Sequence, residues 1–479
     1  MQRILSDRVV LGGTSGPLEV VPAALTVRDQ YIVGIRRGSR SELEALPVEP
    51  DVEVVDVGSR MVTPAFVNAH THLPMSAFRG LVNPAALRGN VVEQLFFQLE
   101  KHVTAQDVRA FALVGAYESL LAGVGCVWEH YYYGPALAEA FAQAGLSAVV
   151  APTLQDLDGP GVDMLEEQVG ATLDLAGDAK MAEAGVVAAL GPHATDTVSS
   201  ELWSRVRDLA DTHELPIHVH VAQSVQEFER SLEVHGCSPI GRLHREGTLG
   251  VGPSVFLVHG LFVSHQDIAL LDPARQLLVY CPFAQLQFGY PAHVDAWRRA
   301  GVPVAVGTDC GACNDRMDVQ QELRLLAGGS AFATTFGASM ERFMREGSRQ
   351  TAQEVWKDRC RRFDAFSVFM ESDALLRTTW SVPGGRHPKL PLGELREGGW
   401  ANLLIWDLDH PVFWPAEDPL RTLCLSSVAG ALWGMVVSGR WVGQRGNFHR
   451  SLLDSPAYTQ AHTEATRRAR ELLERCGLA

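Results

Sequence analysis

Imidazoles are the side chains most worth following along this chain, because several of them keep step with a β-strand. In "NAHTH", His70 and His72 stand two residues apart. On a strand they share one face, about 6.5–7 Å apart along the backbone. That spacing suits two imidazoles on one cation, although such a pair taken alone is more often a satisfied polar pair. "LPIHVHVAQSVQ" repeats the pattern with His218 and His220. Strand direction puts His220 nearer the end where such sites open and leaves His218 as the deeper, structural member. Joined to His220 and to Asp309 of "GTDCG", the first pair makes a shell of three nitrogens and one oxygen. Such a shell suits one divalent ion, zinc first and iron second, with a position left for a water that the ion acidifies toward neutral pH. Three residues beyond His220 stands Gln223, where hydrolysis would be better served by an acid.

These residues need a scaffold that brings distant segments together. Short apolar runs recur through the middle of the chain: "MVTPAFVNAH", "GVGCVWEHYYY", "LSAVVAPTLQD", "GVVAALGPHA", "LPIHVHVAQ", "PSVFLVHG", "QLLVYCPFAQ" and "VPVAVGTDCG". Helical stretches such as "AQDVRAFALVGAYESLLAG" and "SSELWSRVRDLADTHE" separate them. Eight strand-like runs alternating with helices predict an α/β fold, a parallel (β/α)8 TIM-like barrel rather than an open sheet. Most runs end in a metal-capable or titratable group: His70 and His72, Glu129 and His130, Asp156, His193, His220, His259, Asp309. In a barrel those ends converge at one mouth. No GxGxxG opens a helix after a first strand, which leaves a dinucleotide-binding fold without support. The β-rich pieces at both ends, "LEVVPAALTVRDQYIVGI" early and "WANLLIWDLDHPVFW" late, predict one small β-sandwich shared by the two termini. The expected division is 1–60 and 386–450 for the sandwich, 61–385 for the barrel and 451–479 for a terminal helix.

Bulk properties narrow the function classes. Over 479 residues, 46% are apolar and 20% charged, as in a globular enzyme. A net charge of −15 argues against nucleic acid and against anionic membranes as partners. No apolar run reaches the ~18 residues of a membrane span, and the opening "MQRILSDRVVLGG" has no signal-peptide core. Eight scattered cysteines make no disulfide framework, so a reducing cytoplasm is the expected compartment. "CGAC" (Cys310 to Cys313) is a lone CxxC and reads as loop thiols.

Taken in order, "VTPAFVNAHTHLPMSAFRG", "GPHATDT", "HVHVAQ", "VHGLFVSHQDIALL", "CPFAQLQFG" and "VAVGTDCGACND" resemble the amidohydrolase superfamily. The likeness covers nearly the whole chain. It is strongest to the aminohydrolase branch of guanine, cytosine and S-adenosylhomocysteine deaminases and triazine hydrolases. Two-metal members carry a bridging lysine on the fourth strand; "VVAALGPHA" has none, which implies the one-metal type. The resemblance implies His70, His72, His220 and Asp309 as ligands of one metal, with Asp309 also taking a proton from water. It implies that His259 polarises that water or the substrate, and that Arg79 and His193 help to hold substrate. Relatives are often homo-oligomers, which implies the same here.

Two departures stand out. The superfamily pattern after the fifth-strand histidine is His-x-x-Glu, whereas this chain has Gln223. An amide can hold a substrate but cannot relay a proton at neutral pH. An inactivated variant, a branch with another relay, and a protein that binds without turnover all remain open. "CPxSN" has become "CPFAQ", with Ala284 and Gln285, which points to altered substrate contacts. Aromatic walls from Phe96, Phe97, Trp128, Tyr131, Tyr132 and Tyr133 would suit a flat ring, and Asp156 with Asp158 an amine or amidine. The expectation is a metal-dependent hydrolase that expels ammonia from a nitrogen heterocycle such as a purine, pterin, pyrimidine or triazine. Its catalytic groups are Asp309, His259 and Gln223, and its substrate contacts Arg79, His193, Gln223, Tyr133 and Asp156. Alternatives are a dechlorinating or cyclic-amide hydrolase and a non-catalytic homologue.

Overall fold

The computed structural model describes residues 1–14, 16–81, 91–287, 292–335, 337–366 and 371–478, with the side chains of 330–335 and 362–366 excepted. Phe288 and Gly289, which close the "CPFAQLQFG" stretch, lie outside the described residues. The first 64 residues form β1 (Gln2–Gly13), β2 (Gly16–Arg28), β3 (Tyr31–Arg37), β4 (Glu53–Asp56) and β5 (Met61–Pro64). Then follow β6 (Phe66–His72), β7 (Val124–Tyr131), β8 (Ser147–Leu154), β9 (Val186–Ala188) and β10 (Gly191–Pro192). The run continues with β11 (Ile217–Val221), β12 (Val255–His259), β13 (Gln276–Tyr280), β14 (Val304–Val306) and β15 (Asp309–Cys310). Near the C-terminus come β16 (Leu403–Trp406), β17 (Leu432–Val437) and β18 (Arg440–Val442).

Strands from both ends of the chain share one eight-stranded sheet in the order β18-β17-β16-β5-β1-β2-β3, with β4 also bonded to β1. β16 lies antiparallel between β5 and β17, which ties residues 403–437 to the N-terminal strands. Met61–Pro64 belongs to this sheet, and the chain leaves it at Ala65. Ile4, Leu25, Val62, Leu403 and Ile405 are fully buried in one apolar cluster of this sheet.

The central strands are parallel. One sheet runs β10-β8-β7-β6-β15, with β9 also on β8, and a second runs β11-β12-β13-β14. Bridges Leu190↔Ile217 and Ala194↔His220 join the β9–β10 region to β11. β14 and β15 are separated only by residues 307 and 308, and β15 pairs with β6. Every residue of β7, β8, β11, β12 and β13 is buried. Strands covered on both faces read as continuous apolar runs rather than alternating ones, which is why these segments stood out. Alternate residues, including Val67, Ala69, Trp128, Val149, Phe256 and Ala305, pack against one another as a core of their own.

Helices follow ordinary capping rules. Thr104 and Asp107 form a reciprocal capping box at the start of Ala105–Leu121. Ser199 caps Ser200–His213, and Ser455 followed by Pro456 opens the last helix, Pro456–Arg475. Arg468 and Arg475 reach buried Asp107 at 3.2 and 2.5 Å, fastening that last helix to Ala105–Leu121.

Candidate active site

The C-terminal ends of the central strands bring the imidazoles together. One ligand-capable atom from each of His70, His72 and His220 lies within 4.8 Å of the others, and a second group of His259, Cys281 and Asp309 meets the same limit. Oδ1 of Asp309 is 3.7 Å from Nε2 of both His70 and His72, joining the two groups. His259 and Asp309 adopt φ values of 76° and 61°. This left-handed backbone is uncommon outside glycine and recurs at functional sites.

Tautomers follow from the backbone. Nδ1 of His72 faces the carbonyl of His130, and Nδ1 of His220 lies 2.8 Å from the carbonyl of His193. A carbonyl only accepts, so both protons sit on Nδ1 and both Nε2 atoms carry lone pairs. Those two Nε2 atoms are 3.3 Å apart. Neither ring nitrogen of His70, which is fully buried, has a hydrogen-bond partner. Two facing lone pairs beside a carboxylate repel unless a cation lies among them, so the residues present fit a divalent ion.

Electrostatics agree. Burial lowers the His70 and His193 imidazoles to about 3 and holds His72, His220 and His259 below their ordinary value. Neutral imidazole is the ligating form. Burial works against the charge on Asp309, but the nearby His70, His259 and His72 side chains prevail and hold it below the usual carboxylate range. Around the cluster, Asn68 holds Thr308 in a two-way bond, side-chain amide to hydroxyl at 2.7 Å and backbone N–H to amide oxygen at 3.0 Å. Thr71 donates to the carbonyl of Asp309 at 3.0 Å.

The amidohydrolase family's sequence pattern matches residues 61–341. The chain belongs to the amidohydrolase family. Among curated relatives, a 5′-deoxyadenosine deaminase from Methanopyrus kandleri is 30% identical over 82% of this chain and 83% of its own length. Among solved structures, an adenosine deaminase from Xanthomonas campestris with bound zinc superposes with a TM-score of 0.78 at 23% identity, covering 100% of this chain and 99% of that one. The atrazine chlorohydrolase of Arthrobacter aurescens, complexed with zinc, gives 0.74 at 19% identity over 99% and 100%. At those identities the two structures speak for the fold.

In this amidohydrolase a cavity of about 470 Å³ opens over the cluster. His72, His193, His220, Gln223, His259 and Asp309 all line it. His218 is fully buried and does not line it. Arg79, Tyr133 and Asp156 are placed elsewhere. Arg79 pairs with Glu118 at 2.8 Å, and Asp156 accepts from the backbone N–H of Ser199 at 2.7 Å. The Tyr133 hydroxyl donates to the carbonyl of Val103 at 3.2 Å. Of the aromatic residues, Phe96, Phe97, Tyr131 and Tyr132 face the cavity. Trp128 instead stacks on Phe256 with ring centroids 3.8 Å apart.

Sequence reasoning assigned no role to several residues at the site. His130 is buried, lines the cavity and leaves both ring nitrogens unpartnered; its only signal was its position at the end of the second run. Glu129 accepts the backbone N–H of Leu73 at 3.0 Å, just past the His70 and His72 pair. Cys310 and Cys313 are buried free thiols in the cavity wall, and they stand in β15 and the short helix Gly311–Asn314 rather than in a loop. Glu100 carried no signal at all.

Proposed function

We propose that the protein is a metal-dependent aminohydrolase that deaminates a nitrogen heterocycle, with a 5′-substituted adenosine as the leading substrate. The observation that carries this reading is the 3.3 Å approach of two unprotonated Nε2 atoms, on His72 and His220, beside Asp309. His70, His72, His220 and Asp309 would hold one ion, zinc by donor type and iron as the alternative. Such an ion supplies Lewis acidity and a nucleophile at neutral pH. Asp309 is ionised and accepts a proton from the attacking water. His259, held by Gln285 at 3.1 Å, orients that water through an Nε2–H hydrogen bond, and the water protons taken up by Asp309 are returned to the ring nitrogen and the departing amine. Gln223 binds a ring nitrogen through its amide, and Phe96 and Phe97 flank the ring. The M. kandleri relative supports the choice of nucleoside.

The scaffold in this reading is a (β/α)8 barrel over 61–385, flanked by a β-sandwich from 1–60 and 386–450 and by a terminal helix over 451–479. The Leu190↔Ile217 and Ala194↔His220 bridges, with the β15–β6 pairing, support closure of the ring.

Gln223 favours a second reading, ligand capture without turnover, because no carboxyl group occupies its position. One experiment addresses both. Purified protein is analysed for zinc and iron, then incubated with 5′-deoxyadenosine, 5′-methylthioadenosine, guanine and a chlorotriazine while ammonia and chloride are followed. One equivalent of metal and ammonia from an adenosine are expected. Chloride release would move the reading to dechlorination. Binding without any product would favour the silent homologue. Full activity without metal would end the proposal.

A further inference from the structure

The "CGAC" stretch takes no part in the hydrolytic reading, yet it stands in the cavity wall. Of the eight cysteines, Cys310 and Cys313 line the cavity. They are 1% and 3% exposed, and their thiols hydrogen-bond to one another. Cys310 ends β15 and caps the short helix Gly311–Asn314, in which Cys313 is the third residue. Three residues of helical rise separate their backbones by roughly 4.5 Å along the axis, so both sulfurs lie on one side of the turn.

The turn that carries them is fixed at both ends. Its first residue, Cys310, pairs with His72 across β15 and β6. Its last, Asn314, donates to the carbonyl of Thr308 and to Glu322, both at 2.8 Å. Between them, a Cβ at Gly311 would stand 2.7 Å from Cα of Ser76, so the turn is pressed against that backbone. The two thiols are therefore in place before any ligand arrives, and a ligand that bridges them costs little chain entropy. Cys281 is buried as well, but it does not line the cavity.

The pair selects its ligand by donor count. Among the described residues, neither Cys310 nor Cys313 belongs to a group of three ligand-capable side chains. A four-coordinate divalent ion would find half its shell missing here. Trivalent arsenic is three-coordinate and pyramidal, and two neighbouring sulfurs with one oxygen or carbon substituent complete it. The product carries no charge, which suits a wall from which water is excluded.

We propose that Cys310 and Cys313 form a dithiol site that captures trivalent arsenic, as arsenous acid or a monosubstituted arsonous acid, in the cavity wall beside Asp309. The exchange balances without an oxidant or reductant. Two As–S bonds form as two As–O bonds break, each thiol proton leaves on oxygen as water, and arsenic stays trivalent. Closing the second As–S bond within the turn raises affinity over a single thiol by about 10²-fold or more. None of this depends on the deaminase reading.

The test uses phenylarsine oxide, which hydrates to the arsonous acid, on the metal-loaded protein. Intact-mass spectrometry is expected to show one phenylarsenic group per chain. Peptide mapping after alkylation should find Cys310 and Cys313 alone protected among the eight cysteines. Competition with a small dithiol gives the affinity. C310A and C313A are each expected to bind at least about 100-fold more weakly, and C281A to bind as wild type does. Bound metal should stay at the wild-type level. Protection of any other pair, wild-type affinity in C313A, or loss of binding in C281A overturns the proposal. So does release of metal as the adduct forms, which would put arsenic on the imidazole cluster instead. If C310A does not fold, C313A carries the comparison.

Discussion

The side-chain nitrogen of Gln285 lies 3.1 Å from Nδ1 of His259. An amide N–H donates, so Nδ1 is the accepting nitrogen and the imidazole proton sits on Nε2. His259 then presents Nε2–H to the cavity as a hydrogen-bond donor, the arrangement that its proposed role requires. Gln285→Leu is expected to lower kcat by about 10- to 100-fold, the usual cost of losing a hydrogen bond that orients a site imidazole. Bound metal should stay at the wild-type level. Parallel turnover and metal analysis check it, and metal loss in step with kcat would assign His259 to the metal shell instead.

Position 223 separates holding from proton transfer. The Gln223 side chain lines the cavity, while its backbone N–H is fixed by Glu227 at 2.7 Å. Removing an amide that only holds substrate costs one hydrogen bond, roughly 1 kcal/mol. Gln223→Ala is thus expected to raise KM about fivefold with a smaller change in kcat. Gln223→Glu introduces an acid that can carry a proton, and kcat should rise by about 10²-fold where proton delivery limits turnover. Steady-state kinetics of both variants on one nucleoside decide the matter. A fall in kcat for Gln223→Glu would assign the relay to other residues.

Much of the imidazole cluster was legible because strand alternation is a local rule. His70 and His72, and likewise His218 and His220, could be assigned a common face without knowing what lay opposite. The same rule does not extend to "YYY". Alternation would put Tyr131 and Tyr133 on one side, but β7 ends at Tyr131 and Tyr133 turns to φ 59°. Its hydroxyl goes to Val103, and Tyr131 and Tyr132 take the cavity. Arg79 and Asp156 found partners at residues 118 and 199, and no local pattern encodes such distant pairings. Glu100 lines the cavity, where the Tyr132 hydroxyl reaches it at 3.4 Å from 32 residues further along the chain. That is a tertiary fact without periodic trace.

Glu227 predicts how stability varies with pH. It is fully buried, accepts from Gln223 and from the Thr195 hydroxyl, and stands close to Asp196. Burial, reinforced by Asp196, raises it to about 8. The folded protein therefore keeps a proton that the unfolded chain releases near its ordinary value of 4.5. The unfolded state binds fewer protons between those values, so stability falls as pH rises from about 4.5 to 8 and levels off above. A glutamine at 227 mimics the protonated acid, accepting from Gln223 and donating to Thr195. E227Q should fold and lose less stability between pH 5.5 and 8.5 than wild type, by an amount on the order of 1–3 kcal/mol. Denaturant midpoints of the metal-saturated proteins at both pH values measure it. Parallel curves would show that Glu227 is ionised in the folded state.

Gly307 tests whether the metal-ligand cluster depends on the close approach of β6 to the segment leading into Asp309. A Cβ at position 307 would stand 2.8 Å from both the backbone nitrogen and the oxygen of His70, and 2.9 Å from its Cβ. The obstruction is mainly backbone, so no flexible side chain can swing aside. The segment is also pinned, since the N–H of Thr308 donates to the His70 carbonyl at 3.1 Å and that of Gly307 to the Tyr280 carbonyl at 3.0 Å. Gly307→Ala must push β6 away from Asp309 and open the 3.7 Å gap between Asp309 and the His70 and His72 imidazoles. Overpacking of this kind costs about 1–3 kcal/mol. Metal affinity should fall at least about tenfold, because the displaced residues include the proposed ligands His70 and Asp309. Competition with a chromophoric chelator gives the affinity, and thermal melts of chelator-treated protein give the packing cost alone. Unchanged affinity with a lowered Tm would mean that the shift is absorbed away from His70, and that the cluster tolerates more movement than its contacts imply.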